Sequence, residues 1–137
     1  LSKKEQLLVG KGKYLMIKQN DLTPFYRIAD VFVMNLQNYG EPFGMATIEA
    51  MHFCLPVVAT QAGGTLEIVE EGESGFLYPI GKEGISILHD HLRLLNKNVE
   101  LRHQMREKGQ NIVSSKFSSA LFSNQMTEYF KSFLSTI

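Results

Sequence analysis

Three short apolar runs, Val31-Phe32-Val33-Met34, Pro56-Val57-Val58-Ala59-Thr60 and Gly75-Phe76-Leu77-Tyr78, alternate with segments of helical period, and this alternation constrains the fold more than anything else in the chain. Continuous apolar runs of strand length suit strands covered on both faces, as in a parallel sheet flanked by helices. An earlier run, Tyr14-Leu15-Met16-Ile17, is a further candidate strand. Between the runs, residues 22–29 place Leu22, Tyr26 and Ala29 on one helical face. Residues 45–53 are apolar nearly all round apart from Glu49, which predicts a buried helix carrying one acid. Asn35 to Gly40 reads as a loop. The tight turn Gln61-Ala62-Gly63-Gly64-Thr65 precedes a short helix over 66–70. The expected class is α/β.

From residue 85 onward the pattern is helical. Leu88, Leu92 and Leu95 recur at helical spacing, as do Leu101, Met105 and Ile112, and then Leu121, Phe122, Tyr129, Phe130 and Phe133. These stripes read as core-facing rather than as a cofactor box. Asn98 and Ser118 are suited to cap the last two helices. With 137 residues, 44% of them hydrophobic, one core and one domain over 1–137 are expected, with strand and helix alternating over 1–84 and a helical tail over 85–137.

Fourteen basic residues balance fourteen acidic ones, so there is no electrostatic footprint for nucleic acid or an anionic membrane surface. Small molecules or other proteins are the expected partners. The lysines at 3, 4, 11, 13 and 18 read as a solvated face. A lone cysteine, Cys54, has no internal disulfide partner, and no signal peptide, Asn-x-Ser/Thr acceptor or membrane-length apolar run is present. A reducing, cytoplasmic setting is the expectation. Ser2 to Leu8 resembles the end of a helix already under way, so the chain is expected to be a fragment of a longer protein.

The residues with chemistry sit in Gly40-Glu41-Pro42-Phe43-Gly44-Met45-Ala46-Thr47-Ile48-Glu49-Ala50-Met51, where two glutamates eight positions apart flank a loop-to-helix junction. A helix starting near Gly44 or Met45 leaves its first amides unpaired and offers partial positive charge to an anion. Sugar at one carboxylate, phosphate at the helix start and ribose at the other carboxylate is a natural arrangement. Glu67, in the first turn of the next helix, is explained as well by the helix dipole as by a ligand. His52, His89, His91 and His103 lack metal-ligand spacing, and the three aspartates, Asp21, Asp30 and Asp90, form no Asp-x-Asp pair.

Six blocks occur in order: Glu41-Pro42-Phe43-Gly44, Ile48-Glu49-Ala50-Met51, Leu55-Pro56-Val57-Val58-Ala59-Thr60, Ala62-Gly63-Gly64, Glu67-Ile68-Val69 and Gly75-Phe76-Leu77. Together they resemble the C-terminal lobe of the retaining, nucleotide-sugar-dependent "group 1" glycosyltransferases, a family that includes sucrose synthases and sucrose-phosphate synthases. The resemblance covers roughly residues 22 to 117 and implies the two-lobed GT-B fold, with a partial Rossmann-like parallel sheet here and an N-terminal acceptor lobe absent from this chain. It implies a donor-binding role. Glu41 would be the catalytic-centre carboxylate, accepting hydrogen bonds from donor-sugar hydroxyls, and Glu49 would accept them from the ribose. Amides at Phe43, Gly44 and Met45 would hold sugar and diphosphate, stabilising the leaving group without solvent reorganisation, while Gly63, Gly64 and Thr65 shape the adjacent loop. No metal or other cofactor is expected.

The chain departs from the family pattern in three places. Asn35-Leu36 replaces the usual Pro-Ser after the fourth strand, and Cys54 stands where glycine or another small residue is usual, read here as a packing variation. In the doubly wound order 3-2-1-4-5-6, Tyr14 to Ile17 would be the third strand and Val31 to Met34 the fourth, with the two strands between them missing. The basic pair that neutralises the diphosphate would also lie upstream. A glycosyltransferase in full-length context, inactive as this segment alone, is one reading. A non-catalytic nucleotide-binding or interaction module is the alternative, and a nucleotide-sugar epimerase on the same fold fits the later blocks less completely. Nothing in the blocks selects among UDP, ADP and GDP donors or among sugar, lipid and protein acceptors.

Overall fold

A computed structural model describes residues 20–36 and 43–135. The expected strand Tyr14 to Ile17, the loop residues 37–40 and Glu41 lie outside the described residues. The elements, in chain order, are α1 (Thr23–Ile28), β1 (Phe32–Met34), α2 (Met45–His52), β2 (Val57–Thr60), α3 (Thr65–Ile68), β3 (Gly75–Tyr78), α4 (Lys82–Lys97), α5 (Val99–Lys116) and α6 (Ser119–Leu134). The three strands pair in the order β1-β2-β3, all parallel, with Val33 opposite Val58 and Val58 opposite Phe76. This is the α/β sheet that the apolar alternation predicts.

Every residue of β2 is buried because the central strand has a packed layer on each face. Val57 and Ala59 join Tyr26, Ile48, Met51, Ile68 and Ile112 on one side. Val58 joins Tyr78, Leu95 and Met105 on the other, with Leu88, Leu92 and Leu101 packed around them. Helix α5 therefore serves both layers. Its N-cap is Asn98, whose Oδ1 accepts from the Leu101 amide at 3.0 Å, and Ser118 caps α6 in the same way at 3.2 Å.

The last stripe corrects the expectation of a core. Phe122, Tyr129, Phe130 and Phe133 are exposed, and α6 buries none of its residues. Helical period identifies a shared face and does not by itself supply a packing partner for it. The short helix is also displaced, to Thr65–Ile68 rather than 66–70, because Val69 turns extended at φ −90° and ψ 116° once its amide has bonded to Thr65.

Cys54, read from the sequence as a packing variation, takes a backbone conformation that suits glycine. Its φ is +58°, and it follows the C-terminus of α2, where the Cys54 amide donates to Met51 and the Leu55 amide to Ala50, both at 3.0 Å. That paired closure demands a left-handed residue, the conformation glycine adopts without Cβ strain. Glycine would hold this conformation without strain.

Candidate functional site

Helices α2 and α3 follow β1 and β2 in a parallel sheet, so both begin beyond the carboxyl ends of the strands. Each starts on a glycine. Gly44 is left-handed at φ 80°, lends α2 no capping side chain, and precedes amides that have no intrahelical acceptor. Gly63 is left-handed at φ 54°, while Gly64, at an ordinary φ of −61°, serves close approach instead. A Cβ built on Gly64 would stand 2.3 Å from the Phe43 carbonyl oxygen, and one on Gly44 would stand 2.8 Å from Ile68 Cδ1. Thus Phe43, Gly44 and Met45 are brought against Gly63, Gly64 and Thr65, six of the candidate residues in one place.

Thr65 is fully buried and its hydroxyl is used internally. It lies 2.6 Å from the carbonyls of both Thr60 and Ala62, sharing its one proton between them, and accepts the Ala62 amide at 3.4 Å. The side chain fixes the glycine turn to the end of β2.

Glu49 lies one turn into α2, exposed, and lines a separate recess of about 330 Å³ with Asp21, Leu22, Thr23, Tyr26 and Phe53. Its Oε2 accepts a hydrogen bond from the Tyr26 hydroxyl at 3.2 Å. Tyr26 is itself buried, its ring stacked on Phe53 and tilted against Phe32. Burial, and next the negative charge of Glu49, push the Tyr26 hydroxyl up to about 12, so it remains a proton donor at neutral pH. Phe43 and Met45 instead line an apolar cleft of about 440 Å³, together with Ile48, Lys116, Phe117 and Phe122. The helix start and Glu49 therefore open onto different recesses, one turn of helix apart.

Sequence reasoning missed the residues that hold Asn35 and Leu36, just beyond β1. The Leu36 amide donates to Thr60 Oγ1 at 2.9 Å, and the Tyr78 hydroxyl approaches Asn35 Oδ1 at 3.1 Å and the Met34 carbonyl at 3.3 Å. Asn35 and Leu36, which replace the family's Pro-Ser, are thus held by side chains from β2 and β3. No local signal marks Thr60 or Tyr78, since each is 24 or more residues from its partner in this loop. Tyr26 was legible only as an apolar helix position. Among the described residues, no three His, Cys, Asp or Glu side chains gather as a metal site.

Comparison with known proteins agrees with this fold. The family described as "Glycosyl transferases group 1" matches residues 3–112. The capsular polysaccharide biosynthesis glycosyltransferase CapM of Staphylococcus aureus is 27% identical over 136 residues, covering 92% of this chain and 35% of CapM. Among solved structures, sucrose-phosphate synthase from Thermosynechococcus elongatus shares the fold at a TM-score of 0.80 and 24% identity, over 98% of this chain and 34% of that one. The Anabaena protein HepE, solved in complex with UDP, superposes at 0.75 with 26% identity, over 95% of this chain and 36% of HepE. The chain thus spans about a third of the length of each of these proteins. The motif blocks, the parallel sheet with glycine-capped helices at its carboxyl edge and the family match lead to one conclusion: this chain belongs to the group 1 glycosyltransferases.

Proposed function

We propose that the chain is the donor-binding part of a retaining glycosyltransferase that moves a sugar from a nucleoside diphosphate to an acceptor. The observation that carries the reading is the pair of glycine-started helices meeting at the carboxyl edge of the sheet, with Glu49 one turn inside the first of them. In this proposal Glu49 accepts the ribose hydroxyls, and the amides leading into α2, at Phe43, Gly44 and Met45, hold the diphosphate as it leaves. Gly63, Gly64 and Thr65 hold the neighbouring turn in place. Glu41, which lies outside the described residues, is assigned to the donor-sugar hydroxyls on the motif alone. The proposed chemistry needs no metal ion, because backbone dipoles stabilise the developing diphosphate charge.

Support for a nucleotide-sugar donor comes also from HepE, which has been solved in complex with UDP-glucose and resembles this chain at a TM-score of 0.71 and 26% identity. A cytosol-facing setting is part of the proposal, on the lone Cys54. The isolated 137-residue segment is proposed to transfer no sugar by itself, acceptor binding falling to another lobe.

Calorimetric titration of the full-length protein with UDP, ADP and GDP, repeated on Glu49→Ala, tests the reading. A carboxylate bonded to two hydroxyls is expected to contribute about 1.5–3 kcal/mol, so the substitution should weaken the best nucleotide about ten- to a hundredfold. Unchanged affinity would remove the ribose role. Nucleotide binding without sugar transfer by the full-length protein would favour the non-catalytic module.

A further inference from the structure

The bond from Tyr26 to Glu49 joins α1 to α2 across 23 positions of sequence and lies at the wall of the recess that Glu49 lines. Its two ends differ in freedom. Tyr26 is 7% exposed and its ring stacks on Phe53 at 5.4 Å, so the hydroxyl occupies one place. Glu49 is exposed, and a glutamate on a helix surface otherwise samples many rotamers. A carboxylate has about four lone-pair sites, and Tyr26 takes one of those on Oε2. The others remain open to donors. A vicinal diol presents two O–H groups side by side, and its bidentate capture requires the carboxylate plane to be held still. The nearby Asp21 accepts the Thr23 amide on Oδ1 at 2.9 Å and also lines the recess.

We propose that Tyr26 is a positioning residue for the donor nucleotide: its buried hydroxyl orients the Glu49 carboxylate toward the recess and thereby sets the preference for a ribose diol. The inference rests on the reading of Glu49 as the ribose acceptor. It adds a residue from a different helix, which acts through the glutamate rather than on the nucleotide.

The test is calorimetric titration of the full-length protein with whichever of UDP, ADP and GDP binds tightest and with the 2′,3′-dideoxy form of that nucleotide, for wild type, Tyr26→Phe and Glu49→Gln. The phenylalanine keeps the ring packing. Expected for Tyr26→Phe is a loss of about three- to tenfold on the ribonucleotide, the range of one net hydrogen bond, with dideoxynucleotide affinity unchanged. Glu49→Gln should reduce the preference for the ribo form further. If Glu49→Gln lowers that preference while Tyr26→Phe leaves it at the wild-type ratio, the positioning role is overturned and the reading of Glu49 stands. Equal losses on both nucleotides in Tyr26→Phe would mark a merely structural role and also overturn it. A wild-type preference that survives Glu49→Gln, or no binding of any of the three nucleotides, overturns both.

Discussion

Gly64 and Phe43 touch backbone to backbone: a Cβ on the glycine would stand 2.3 Å from the Phe43 carbonyl oxygen and 2.9 Å from its Cα. The turn before α3 is thereby pressed against the turn before α2, and the two helix starts form one surface. Real Cβ atoms do not approach a backbone oxygen so closely, and the obstruction is main chain rather than a flexible side-chain tip. Gly64→Ala should therefore cost about 2–3 kcal/mol in urea unfolding and weaken nucleotide binding beyond that loss. A variant as stable as wild type would show that the two turns separate freely.

Thr65 secures the same turn through its hydroxyl, which lies 2.6 Å from two carbonyls in a fully buried position. Thr65→Val keeps the shape and takes the hydroxyl from the Ala62 carbonyl, while the Thr60 carbonyl still accepts the Ala62 amide at 2.8 Å, for an expected loss of about 1–3 kcal/mol. Thr65→Ser retains the hydroxyl and gives up one methyl, about 1 kcal/mol. Thermal denaturation of the pair should rank serine above valine, and the reverse order would assign Thr65 to packing alone.

At the other end of α2, Cys54 holds a φ of +58° that its side chain disfavours. Cys54→Gly should raise stability by about 0.5–1 kcal/mol, the relief of left-handed strain less the added freedom of the unfolded glycine. The shift should appear in the urea midpoint with an unchanged slope. Destabilisation would mean that the thiol packs favourably enough to outweigh the backbone.

The raised Tyr26 hydroxyl gives a pH dependence of definite sign. Folding lifts it from 10.0 to about 12, so the folded state holds this proton more tightly than the unfolded one. The resulting stability is complete below pH 10 and is lost as pH rises through the folded value of about 12. Between those limits the wild type should lose stability faster with pH than Tyr26→Phe. Urea midpoints taken at several pH values between 9 and 12 measure the difference. Parallel slopes would show that Tyr26 ionises in the folded state as easily as in the unfolded.

Much of the fold was legible because its determinants are local. The burial of β2 follows from a run with no polar residue before Thr60, and the caps Asn98 and Ser118 act on amides three positions away. The glycine-rich turns at 44 and at 63–64 also announced themselves, since backbone conformation and close approach restrict residue choice at those positions. The exposure of α6 was not legible. A stripe such as Phe122, Tyr129, Phe130 and Phe133 reports which side chains share a face and carries no information about what lies opposite.

For the site, the sequence by itself determined the pieces: a loop-to-helix junction bearing Glu49, two glycine turns, and the order of strands and helices that sends both helix starts to the same edge of a parallel sheet. Only the tertiary structure decided that Gly64 meets Phe43, that Tyr26 bonds Glu49, and that Thr60 and Tyr78 hold Asn35 and Leu36. Periodicity and turn chemistry act over a few residues, and these contacts join positions 21 to 43 apart, which are neighbours only after the sheet has formed and the core has closed.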